Sequence, residues 1–72
     1  MNKTLHKIDK LLADAIGELQ ALTNDRESQF SDKSEKWQES DNGTEFQSAT
    51  DSLNEVLSQL EDAQTTIQGL LT

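Results

Sequence analysis

A series of apolar residues at alternating steps of three and four, Phe46, Ala49, Leu53, Val56, Leu60, Ala63, Ile67 and Leu70, constrains this chain more than any other feature. Residues so spaced stay on one side of an α-helix and form a continuous seam. Leu57 and Leu71 broaden it, while the remaining faces carry Gln, Ser, Thr, Asp and Glu. One helix cannot bury its own seam. The rest of the chain therefore has to be read for what lies against it.

A second stripe, Leu5, Ile8, Leu12, Ala15, Leu19 and Leu22, widened by Ile16, predicts an N-terminal helix. Thr4 can cap its first amides. Gly17 is its weak point, costing about 1 kcal/mol relative to Ala. Beyond Leu22 a sparser face, Thr23, Arg26, Phe30, Lys33 and Trp37, carries the predicted helix from about 4 to about 38. The alternative is a break near Ser31 or Asp32, because Asp32 and Glu35 have capping-box spacing and a short helix can begin there. Ser40-Asp41-Asn42-Gly43-Thr44 reads as the turn, over about 40–44. Asn-Gly between alternating strands would make a β-hairpin, but both flanks here are helical in period. The second helix then spans about 45–70, started by Thr44 with Gln47 or by Asn42 with Glu45.

A short link between two helices makes them antiparallel neighbours. The expected fold is all-α, a single antiparallel helical hairpin over 1–72. It sets Trp37 near Phe46, Phe30 near Ala49 or Leu53, Leu19 and Leu22 near Leu60 or Ala63, and Leu12 or Ile16 near Ile67. Leu5 and Ile8 overhang. Seventy-two residues make a marginal folding unit, and a two-helix hairpin leaves one edge of its stripes wet. Pairing into a four-helix bundle homodimer is the expected remedy.

The charge is uneven. The chain carries a formal −8, and all six basic residues lie within 1–36, leaving 37–72 with seven acids and no base. Such a surface repels nucleic-acid backbones and anionic membranes and attracts a basic protein surface, although excess acid also serves solubility. No cysteine is present, which excludes disulfides and thiol chemistry and fits a reducing cytoplasm. The segment MNKTLHKIDK lacks the apolar core of a signal peptide, so the expected location is cytoplasmic.

Catalytic and metal chemistry find no pattern. His6 is the only histidine and has no cysteine or second histidine at zinc spacing. No nucleophile, base and orienting group stand at recognisable spacing, no glycine loop cradles phosphate, and the carboxylates do not repeat at the spacing of di-iron bundles. The chain is read as non-enzymatic and without a cofactor.

The segment Ser34-Glu35-Lys36-Trp37-Gln38-Glu39-Ser40, followed by a polar turn and an amphipathic helix, resembles small, mostly uncharacterised helical-hairpin proteins of bacteria and their mobile elements. The resemblance spans roughly 22–60 and implies a helical hairpin. It carries no catalytic residue onto this chain. It also implies a narrower guess, modulation or inhibition of a host or defence protein by a phage or other mobile element.

The leading functional expectation is an acidic protein-interaction or regulatory module. Glu35, Trp37, Glu39 and Asp41 form a candidate binding patch near the turn, and Asp51, Glu55, Glu61 and Asp62 a negative stripe on the second helix. Trp37 has a second role as a core cap. Two other readings remain open. One is a nucleic-acid mimic whose carboxylates imitate phosphates; the other is a structural adaptor whose main work is helix pairing.

Overall fold

The computed structural model describes residues 2–71, so the end residues of the expected 1–72 domain lie outside the described residues. The described residues form three helices and no strand: α1 (Asn2–Ser31), α2 (Glu35–Glu39) and α3 (Asp41–Leu71). α1 and α3 pack side by side along their length as an antiparallel pair, with α2 as an elbow at one end. The rod measures 53 × 14 × 13 Å.

The reversal differs from the expected one. The first helix ends at Ser31, at the alternative break, rather than near 38; a short helix follows, as that alternative allows, and residues 41–44 of the predicted turn form the first turn of α3. Serines explain both boundaries. Ser34 is extended and its Oγ accepts from the Trp37 amide at 3.2 Å, which starts α2. Ser40, also extended, closes α2 through its own amide on the Trp37 carbonyl and starts α3 by accepting from the Gly43 amide at 3.3 Å. The caps expected from Asp32, Asn42 or Thr44 are thus replaced by Ser34 and Ser40. Glu35 and Asp41, each in a first turn, place negative charge where the helix dipole favours it.

The rows facing inward also differ from the expected stripes. In α1 the more buried residues are Leu5, Asp9, Leu12, Ile16, Leu19, Thr23, Arg26 and Phe30. In α3 they run Gly43, Phe46, Thr50, Leu53, Leu57, Leu60, Gln64, Ile67 and Leu71, with Gln47 and Asn54 half-buried beside the row. Both keep the alternating step of three and four; each shares every second member of its main predicted stripe, together with the flanking Ile16, Leu57 and Leu71 and the continuing face Thr23, Arg26 and Phe30. Ile8, Leu22, Val56 and Leu70, expected inside, are exposed. Ala15, Ala49 and Ala63 are exposed with them.

The register is set at the elbow. Phe30 stacks on Phe46 with centroids 6.3 Å apart, and Arg26 reaches Thr50. Carried along an antiparallel pair, this places Leu19 opposite Leu57, Ile16 opposite Leu60 and Leu5 opposite Leu71. Phe30 therefore meets Phe46 rather than Ala49 or Leu53, and Leu5 does not overhang. Ending α1 at Ser31 is what slides the pair into this register.

Candidate protein-interaction surface

Three rings close the elbow end. Trp37 meets Phe46 edge-on at 5.9 Å and Phe30 edge-on at 6.1 Å, completing a triangle with the Phe30–Phe46 stack. Two cations cover it. The Arg26 guanidinium lies 4.0 Å above the Phe46 ring, and the Lys33 ammonium 5.4 Å from the Trp37 ring centre. Arg26 also donates from Nε to Thr50 Oγ1 at 2.9 Å and from Nη2 to the Phe46 carbonyl at 3.1 Å. Thr50 Oγ1 donates in turn to the same carbonyl, so its hydroxyl is satisfied although the residue is fully buried.

Gln38 ties α2 to the end of α1. Its Nε2 donates to the carbonyls of Phe30 at 2.9 Å, which also accepts from the Lys33 amide at 3.1 Å, and of Lys33 at 3.0 Å. Behind it, the backbone of α2 presses on Gly43. A Cβ at Gly43 would fall inside contact distance of the Trp37 and Gln38 carbonyl oxygens.

Around this knot the expected patch is partly assembled. Glu35, Glu39 and Asp41 are exposed about a half-buried Trp37. Trp37 is therefore committed to the ring cluster and offers only part of its indole to a partner. Asp51 and Glu55, one turn apart on the outer face of α3, border a shallow open groove with Asn54, Ser58 and Gln59. Asp62 continues the Glu55 row, while Glu61 lies on the neighbouring row beside the seam; both are exposed. The elbow patch and the α3 stripe stay separate, since ten residues of helix from Asp41 to Asp51 span about 15 Å.

Sequence reading gave no structural role to Thr50, Gln38 or Ser34, placed Arg26 only on the face with Phe30, and put Ser40 only in the turn. Arg26 carried a signal, seven residues after Leu19 and four before Phe30. Thr50 was hidden by the apolar Ala49 beside it. Among the described residues, no group of three or more His, Asp or Glu is placed to hold a metal ion, and no helix is long and apolar enough to cross a membrane. No protein-family model matches the chain, and neither curated proteins nor solved structures provide a match.

Proposed function

We propose that this chain is a non-enzymatic, acidic protein-interaction module that works as a homodimeric four-helix bundle and offers its outer α3 surface to a protein with a basic face. The observation that carries this reading is the segregation of charge. α3 bears Asp41, Glu45, Asp51, Glu55, Glu61 and Asp62 and not one Lys or Arg, and all six carboxylates are exposed. A one-signed surface of this kind steers an oppositely charged partner and repels nucleic acid. The elbow adds Glu35, Glu39 and the accessible edge of Trp37. On the resemblance in residues 34–40, the partner is a host or defence protein that the module modulates.

A second reading, a structural adaptor that acts through helix pairing, is favoured by the exposed Ile8, Leu22, Val56 and Leu70. The two separate in one experiment. Proteins are captured from native lysate on the wild-type chain and on the variant Asp51→Asn, Glu55→Gln, Glu61→Gln, Asp62→Asn, with helicity checked by circular dichroism. The interaction module predicts a defined protein retained by wild type, released by raised salt and lost with the variant. Identical capture by both would sink the proposed surface. Displacement of that protein by duplex DNA would shift the reading to mimicry of nucleic acid.

A further inference from the structure

We infer that the partner on the apolar side of the hairpin is a second copy of this chain, packed face to face with the two elbows at opposite ends. The inference deepens the two-copy reading above and rests on it.

Each inward seam is bordered by two rows, and reversing one helix reverses the sense in which its rows wind. Corresponding border rows of an antiparallel pair therefore fall on the same side. On one side of this hairpin α1 contributes Ile8, Ala15, Leu22 and Gln29. α3 contributes Ala49, Val56, Ala63 and Leu70 to that same side. Their large members stand in the open: Ile8 is 38% exposed, Val56 44%, Leu22 46% and Leu70 64%, with Leu11 adjoining at 57%. The other side carries His6, Ala13, Gln20 and Glu27 beside Gln47, Asn54, Glu61 and Gln68. A seam plus one apolar border row is the pattern of a helix inside a bundle rather than of an isolated pair.

Charge and area select the occupant. The chain has fourteen carboxylates, yet none falls on the eight positions of the apolar side. A basic partner would gain nothing there, whereas a copy of an acidic chain can approach without opposing carboxylates. The surface area of 5415 Å² exceeds the ~4,500 Å² of an ordinary compact monomer of 8.0 kDa by about 900 Å². A standard interface removes ~800 Å² from each partner. Among the described residues Ile16 is the only buried hydrophobic side chain, so the single hairpin holds half of a core.

The order of sizes selects the orientation. With elbows at opposite ends and the two-fold axis midway along the rod, α1 packs on its own copy. Ala15 then meets Leu22, and Ile8 meets Gln29. α3 packs likewise, Ala63 against Val56 and Ala49 against Leu70. Every layer sets a larger side chain against a smaller one, as interdigitation requires. With elbows at the same end, Ile8 would meet Leu70 and Ala15 would meet Ala63, crowding one layer and hollowing the next. Charge agrees. Residues 31–45 carry five carboxylates against two lysines, whereas residues 2–10 and 63–71 carry three lysines against one carboxylate. Opposed elbows lay the acidic end of one copy beside the basic end of the other. The cost falls at Glu18, exposed on α1 beside the axis and brought near its own copy.

The purified full chain is tested alone, so the result does not depend on any acid-surface partner. Sedimentation equilibrium should give twice the 8.0 kDa chain mass. Ala15→Glu with Ala63→Glu, at positions already exposed in the hairpin, should return the mass to one chain. Ala13→Glu, exposed on the opposite side, should leave the dimer intact. Glu18→Gln should lower the dissociation constant several-fold. Spin labels on a Glu39→Cys variant, in a chain with no other cysteine, should lie about 50 Å apart across the dimer, given a 53 Å rod. A monomeric wild type, a dimer indifferent to Ala15→Glu with Ala63→Glu, or elbow labels closer than about 25 Å would each overturn the inference. If the mass and distances hold while lysate capture fails, only the acidic-surface reading falls.

Discussion

Gly43 shows how one residue can be noticed in a sequence for the wrong reason. Asn-Gly flags a turn, and turns use glycine for its positive φ. No glycine among the described residues has a positive φ; Gly43 sits inside a helix, where its missing Cβ lets the α2 backbone lie against α3. Gly43→Ala would force those carbonyls apart and should destabilise the fold by about 1–3 kcal/mol, read as a lower urea midpoint. Gly17 is the opposite case. Nothing lies within 4 Å of a Cβ built there, and the residue is exposed in mid-helix. Gly17→Ala should stabilise by about 0.5–1 kcal/mol through the unfolded chain, with a correspondingly higher urea midpoint and an unchanged helical spectrum.

Among the elements, the two long helices were legible because their apolar period is long and unbroken. The choice of which border row turns inward was not. Leu5, Leu12 and Leu19, like Phe46, Leu53, Leu60 and Ile67, belong to the seam under either choice. Hydrophobicity then favours Ile8 over Asp9, Leu22 over Thr23 and Ala49 over Thr50. The elbow decides otherwise, because the Phe30, Trp37 and Phe46 rings and the Arg26–Thr50 bond lock the rotation of both helices. Those contacts join residues far apart in sequence through a five-residue helix that capping-box spacing allows but periodicity does not reveal. The polar seam has a consequence at Asp9, whose Oδ1 is buried without a hydrogen-bond partner. A buried acceptor left unmade costs about 1–3 kcal/mol. Asp9→Leu should recover a gain of that order in a denaturant titration; a loss would mean that the carboxylate finds a partner in solution.

At the scale of the molecule, the candidate site was readable as composition and only partly as geometry. That acids dominate the second half follows from counting, and Asp51, Glu55, Glu61 and Asp62 are indeed exposed. Their division between an outer row and a row beside the seam depends on the rotation set at the elbow. Trp37 could be placed near Phe46 from the hairpin alone, but its contacts with Phe30 and Lys33 could not, since the sequence favours a continuous first helix over the break near Ser31. The same rotation that brings Thr23 and Thr50 inside leaves Leu22 and Val56 outside. If the hairpin is half of a core, folding is coupled to association and its midpoint depends on concentration. Thermal unfolding followed by circular dichroism across a hundred-fold range of protein concentration tests this most directly. The account predicts a midpoint that rises steadily with concentration; a midpoint constant over that range, in a chain sedimenting as a monomer, would contradict it.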